Sequence, residues 1–332
     1  FLVDNATGRL RPRGYVVSGT TPRAVAVHPS GKFFYSINNG SSDVSAHALS
    51  STGLATAVTG SPFSLIPATG PTAVAVSPDG QFLFVANQGT NNVSVFEINQ
   101  TTGGLTGAPG SPFTLGSAVG PTAIAVNPSG NLLFVTNNAN NPSLTGKLSV
   151  FIIQATGTLI QVGGPLTLGL DPQAVVLNAT GTVVYVANKG ASSIFAFSVD
   201  QNTGVLSPPN GQSFSTTAPS SLAVGPGGQF LYVANSGTGT IGLITINEVT
   251  GALIAASPAA SVTNPEFIRI DPAGRLLYAT DSTSDLASIF SIDPVAGTLT
   301  PTGTRAMRGA PAAVAFVSGP AAVTPTPTFA YV

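Results

Sequence analysis

Short apolar runs separated by polar turns recur along the whole chain. In residues 71–105, "PTAVAVSPDGQFLFVANQGTNNVSVFEINQTTGGL", an almost continuous apolar run (72–76) meets the turn SPDG, and a second run then ends at Asn87. A third run (91–98) and the turn NQTTGG lead to an edge strand beginning near Leu105. Short runs bounded by turn residues predict strands, and their order predicts successive antiparallel hairpins. The same unit returns as "PTAIAVNPSGNLLFVTNN". Alignment on its opening proline finds Pro22, Pro71, Pro121, Pro172, Pro219, Pro265 and Pro311, spaced by 49, 50, 51, 47, 46 and 46 residues. That period fits one four-stranded propeller blade per unit.

The expected fold is therefore all-β: a single domain over residues 1–332, a seven-bladed β-propeller of four-stranded antiparallel blades. Blades are numbered one to seven from the unit at Pro22. The first strands place Ala24, Ala26, Ala73, Ala75, Ala123 and Ala125 between branched residues, which suits inner strands crowded around an axis. "FLVDNATGRL" (1–10) aligns with "FEINQTTGGL" (96–105), and "FAYV" (329–332) aligns with "FLFV" (82–85). Both chain ends are thus expected in one blade, closing the ring by antiparallel pairing. Residues 86–95 of the complete unit have no counterpart there, so the sequence is expected to be a fragment of a longer product, or the missing strand portion to come from another segment or a second molecule. A Pro-rich insertion, 318–328, separates the last two apolar runs.

Charge changes the picture next. Only 7% of residues are charged, the formal net charge is -1, and no Lys/Arg cluster is present, so nucleic acid is not an expected partner. No run is long and apolar enough for a membrane-spanning helix. With no Cys and only His28 and His47, neither a metal centre nor a cofactor is expected. So sparsely charged a surface, rich in Ser, Thr, Asn and Gly, points to an extracellular or cell-surface protein, with the periplasm as a further possibility.

"PRAVAVHPSGKFFY" (22–35), "LFVTN" (133–137), "VYVAN" (184–188) and "LYVAN" (231–235) carry a family resemblance. The chain resembles the seven-bladed propellers of the lactonase family, which includes bacterial 6-phosphogluconolactonase and carboxymuconate-cyclising enzymes. It is also similar to the Tyr-Val-Thr-Asn repeat proteins of microbial surfaces. The lactonase resemblance implies chemistry at one mouth of the central channel, on His, Arg and Glu side chains near the ends of inner strands. The family's Pro-Arg-His opening matches Pro22-Arg23 and then meets Ala24. Its Asn-Glu after a second strand becomes Asn38-Asn39, Asn87-Gln88 and Asn188-Lys189.

The residue after each repeat proline is expected at the rim of the channel: Arg23, Thr72, Thr122, Gln173, Ser220, Glu266 and Ala312. Blade six adds Arg269, where five other units have Ala, together with Asp271 and Asp281. Glu266, Arg269 and Arg23 are the candidate catalytic residues, because a carboxylate can serve as general base for water while an Arg stabilises an oxyanion. Gln173, Asp271 and Asp281 are the candidate ligand-binding residues. The competing structural reading is an ion-pair cluster fixing one divergent blade. An Asn or Asp ends each second strand, at Asn38, Asn87, Asn137, Asn188, Asn235 and Asp281. These are expected to bond the following loops rather than form a ligand annulus. His28 is expected in a turn, and His47 as a solvated or pairing residue.

The lost imidazole and carboxylate positions, with the low surface charge, favour a secreted or surface propeller that binds or assembles without catalysis. Its partner would be a protein, a glycan or another copy of the chain. The alternative is a divergent lactonase-like hydrolase with its site at the channel mouth, and a second alternative is the subunit of an extracellular polymer or filament.

Overall fold

The structure, a computed structural model, describes residues 1–3, 9–12, 14–141, 143–207, 213–281, 283–307, 312–318 and 328–331. Among them the chain is all-β, with no helix, and its sheets are antiparallel and arranged as a propeller. Six of the aligned prolines open six-residue strands: Pro22–Val27, Pro71–Val76, Pro121–Val126, Pro172–Leu177, Pro219–Val224 and Pro265–Ile270. Pro311 lies outside the described residues, as do residues 319–327 of the Pro-rich insertion. Each of these strands heads a consecutive four-strand path, and each of the first five lies against the first strand of the next sheet. The six strands are therefore the innermost ones.

Second strands such as Phe33–Asn38 and Phe82–Asn87 are buried along their whole length, because both of their faces meet apolar neighbours. The resulting cores lie between blades: Tyr35, Ile37 and Val44 of blade one pack with Leu83, Val85 and Leu105 of blade two. Phe63 joins that core, and Phe113 joins the next one. Tyrosines on second strands cross the same boundaries. Tyr35 Oη donates to the Gly103 carbonyl (3.1 Å), Tyr185 Oη to Gly251 (2.9 Å) and Tyr232 Oη to Gly297 (2.8 Å). Burial pushes the Tyr185 and Tyr232 phenols up to about 12.

A further four-stranded sheet joins the two chain ends. Leu2–Val3 pairs with Leu10–Arg11 on one side and with Thr328–Tyr331 on the other, and Thr328–Tyr331 pairs with Ala315–Ser318. Ser318 and Thr328, which bracket the insertion, stand opposite each other in register. Val3, Leu10 and Val314 bury themselves against Leu276, Tyr278 and Ile289 of blade six.

One local device places the rim. In all six inner strands the register slips between the proline and the second residue after it. Proline has no N–H to give to the ladder, so pairing breaks there and the following residue becomes the extra residue of a bulge. Bulges re-aim side chains, and the re-aimed positions are Arg23, Thr72, Thr122, Gln173, Ser220 and Glu266.

Candidate functional site

Three of the re-aimed side chains tie blades together. Thr72 Oγ1 donates to the Pro121 carbonyl (2.8 Å), Thr122 Oγ1 to Pro172 (2.6 Å) and Ser220 Oγ to Pro265 (2.8 Å). Between blades one and two the same bond comes from Asn39 Nδ2, which donates to the Pro71 carbonyl (2.9 Å). Gln173 turns instead to Asp171, its Nε2 donating to Oδ1 at 2.7 Å, and Asn138 reaches the same oxygen at 3.5 Å. Arg23 and Glu266 are exposed, and neither side chain has an ion-pair or hydrogen-bond partner among the described residues. They are the two charged groups of the re-aimed set.

The Asn/Asp positions at the ends of the second strands do not all bond the following loop as expected: Asn188 Oδ1 accepts from the Gly169 N–H (3.2 Å) and Asn235 Oδ1 from the Thr216 hydroxyl (2.7 Å), both before the inner strand, while Asn38 and Asn87 reach the third strand. Asn87 Nδ2 donates to Asn92 Oδ1 and Ser94 Oγ, both at 2.9 Å, and Asn38 Nδ2 reaches Ser45 Oγ at 2.9 Å. Asp281 accepts from the backbone N–H and hydroxyl groups of Thr283 and Ser284. Burial pushes its carboxyl up, but these four donors outweigh burial and hold it below the ordinary value. Asp271 is buried and accepts from the backbone N–H groups of Arg275 and Leu276 (2.7 and 2.8 Å). Both candidate binding carboxylates are thus engaged in turns of blade six.

A cavity of about 590 Å³ occupies the channel inside the inner strands. Its walls are mostly Ala, Val and Ile, and it extends to Pro29, Pro128 and Ala179, in the turns beyond the far ends of those strands. Arg269 lines it; Arg23 and Glu266 do not. The three candidate catalytic residues therefore do not form one cluster. Arg269 has no side-chain partner among the described residues, and burial lowers its guanidinium pKa with nothing to offset it. Arg269 is nonetheless exposed, on the wall of the cavity that it lines.

His28 also borders the cavity. Its Nε2 lies 3.0 Å from the Gly80 carbonyl, so that nitrogen carries the proton and binds blade one to blade two. Its Nδ1 accepts from the backbone N–H of Ser30 (3.1 Å) and stands 2.7 Å from the Ser30 hydroxyl. Burial lowers its pKa. The turn role holds, with a blade-to-blade bond added. His47 is buried rather than solvated, 2% exposed and stacked on Phe34 with ring centres 4.8 Å apart. The third strand carrying it, Asp43–Leu49, is covered on both faces. Among the described residues no group of three or more His, Asp or Glu is placed to hold a metal ion.

Sequence reasoning missed Asp171 and Asn138, which border the same rim. One signal for Asp171 was present: it precedes a repeat proline with φ of 49°, where blades two and three have Gly70 and Gly120 at positive φ.

The sequence matches the family described as "Lactonase, 7-bladed beta-propeller" over residues 1–141, 108–216 and 207–316. Among solved structures it is similar to the periplasmic gluconolactonase of Pseudomonas aeruginosa (TM-score 0.77, 19% identity, 96% of this chain and 94% of that one). It is likewise similar to a protein from Lactobacillus plantarum (0.78, 18%, 94% and 92%). A third, from Bacteroides fragilis, is provisionally described as a 6-phosphogluconolactonase (0.77, 19%, 93% and 90%). No functionally curated protein matches. These matches correct the reading of a non-catalytic binding or assembly module and favour the lactonase-like alternative. At the rim, Ala24 and Asn39 lack the family's groups, while Arg23 and Glu266 carry a guanidinium and a carboxylate without partners among the described residues. On the family match across residues 1–316, the chain belongs to the lactonase family of seven-bladed β-propellers.

Proposed function

We propose that the protein hydrolyses a sugar lactone at the channel mouth where the repeat prolines lie. The carrying observation is the pair Arg23 and Glu266, the charged bulge residues that no described neighbour engages. Glu266 acts as general base, taking a proton from water as the oxygen attacks the lactone carbonyl. Arg23 stabilises the oxyanion that forms. When the intermediate collapses, the ring C–O bond breaks, and the protonated Glu266 returns its proton to the departing alkoxide. One lactone and one water become one hydroxy acid. Arg269, three residues beyond Glu266 and about 10 Å along the strand, takes no part in this step.

In this reading the chain is one seven-bladed ring, and the sheet of its two ends is the seventh blade. That blade stands between Glu266 and Arg23 in chain order, and its Ala312 brings no polar group to the rim. A location outside the cytoplasm, as the Pseudomonas relative's name indicates for that protein, fits the low surface charge.

Hydrolysis of gluconolactone and related aldonolactones, followed by proton release, tests the proposal. Turnover that disappears in Glu266→Gln while the folded spectrum is kept supports it. Absence of turnover across these lactones, or full activity in Glu266→Gln, refutes it.

A further inference from the structure

Gln173 departs from the pattern of the rim. It holds the same bulge position as Thr72, Thr122 and Ser220, yet among the described residues it makes no bond to the carbonyl of the next proline, Pro219. Its Nε2 donates to Asp171 Oδ1 instead (2.7 Å), and Asn138 Nδ2 reaches the same oxygen from blade three (3.5 Å). One carboxylate oxygen thus holds two amides, from neighbouring blades, at the mouth. Asp171 Oδ2 and Gln173 Oε1 accept no hydrogen bond among the described residues, and both residues are half-buried.

Two free acceptors beside amide N–H donors match hydroxyl groups, because a hydroxyl both donates and accepts. The carboxylate makes the stronger, charge-assisted kind of bond. Blade five separates Gln173 from Glu266 in chain order, and it presents Ser220, whose hydroxyl is already engaged by the Pro265 carbonyl (2.8 Å). A lactone carbonyl placed at Glu266 and Arg23 leaves the hydroxyl-bearing carbons of an aldonolactone to extend over the mouth towards blade four. A lactone without hydroxyls would desolvate these polar groups and give them no bonds in return.

We propose that Gln173 and Asp171, with Asn138 beside them, are the specificity-determining residues of the mouth and bind the hydroxyl groups of a polyhydroxylated lactone. This rests on the lactone chemistry proposed for Arg23 and Glu266, and it adds recognition of the substrate's far end. Asp171 has two roles: Oδ1 positions both amides, and Oδ2 accepts a bond from a sugar hydroxyl.

Gluconolactam and δ-valerolactam, which keep the ring but resist hydrolysis, test this by calorimetric titration of the intact chain. Wild type is expected to bind gluconolactam about tenfold more tightly than δ-valerolactam. Gln173→Thr installs the residue of blades two and three, so a bond to Pro219 can form while the long amide is lost. Its preference for gluconolactam should fall by about threefold or more. Should that variant not fold, Asp171→Asn, whose new side chain tolerates the left-handed backbone at φ 49°, is expected to show the same loss. In kinetics the ratio of kcat/KM for gluconolactone to that for δ-valerolactone should fall in step, mostly through KM, and the intrinsic reactivity of the two lactones cancels between wild type and variant. Equal affinity for the two lactams in wild type, or an undiminished preference in the folded variant, overturns the proposal. Absent lactone turnover with the lactam preference intact refutes the hydrolysis and supports the subsite, so the two failures are told apart.

Discussion

The hydroxyl of Thr122 donates to the carbonyl of Pro172 at 2.6 Å, so the first strand of blade three is tied to the first residue of blade four. Replacing the hydroxyl with a methyl leaves that carbonyl without its partner while the shape is kept. Thr122→Val is expected to destabilise the fold by about 1–2 kcal/mol, and Thr122→Ser to recover most of it. Urea unfolding of the two variants beside wild type measures both effects.

Stability should fall in mild acid. Burial holds His28 and His47 below the ordinary histidine value of 6.5 in the folded chain. As pH drops through about 6.5 the unfolded chain takes up protons that the folded one refuses, so the unfolded state gains. Stability is full above that pH and declines below it. His28→Asn should weaken the dependence without loss of fold. Asn127 already fills the equivalent turn, and Gln100 Nε2 still satisfies the Gly80 carbonyl at 2.8 Å. Urea midpoints between pH 8 and pH 5 are the measurement.

Gly103 sits at φ 75° in the turn that accepts the Tyr35 hydroxyl, and a Cβ there would overlap the Phe33 ring. Left-handed backbone and overpacking add, so Gly103→Ala is expected to cost about 2–4 kcal/mol. Gly107 has a negative φ and open space around its Cβ position, and Gly107→Ala serves as the control. Thermal unfolding of the pair gives the comparison.

Arg23 is exposed and without a described partner, so its removal should leave the unfolding midpoint in place. Removing the oxyanion donor should lower kcat for lactone hydrolysis by roughly 10²–10³-fold. Steady-state kinetics of Arg23→Ala, with its melting curve, separates the two effects. A lowered melting temperature with unchanged kcat would assign Arg23 to packing.

The prolines made the inner strands legible because a residue without an N–H marks the same break in every ladder. Asn87 and Asp281 were legible for a similar reason, since a short polar side chain after a buried strand finds its partners in the next few residues. Arg269 stood out only against Ala at the same level of other units, and repetition supplies that contrast. The Thr122–Pro172 bond joins residues fifty apart, and no local pattern encodes it. His47 escaped because an imidazole between polar and apolar neighbours reads the same solvated or stacked. The catalytic inference failed for another reason. Ala24 and Asn39 show which family groups are missing from two positions, but a ring of equivalent positions can carry such groups on a different blade, and the carboxylate of Glu266 is the one our proposal uses.

The bonds from Thr72, Thr122 and Ser220 all run one way around the axis, from the hydroxyl of one unit to the proline carbonyl of the next. A cassette cut from one proline to the next therefore carries a donor at its head and offers a carbonyl to its predecessor. Tandem duplication can join any two such cassettes without redesigning the junction. A lineage can then lengthen or shuffle the ring at little cost, and a unit that carries no such donor, as at Arg23 or Glu266, is the place where selection can write something new.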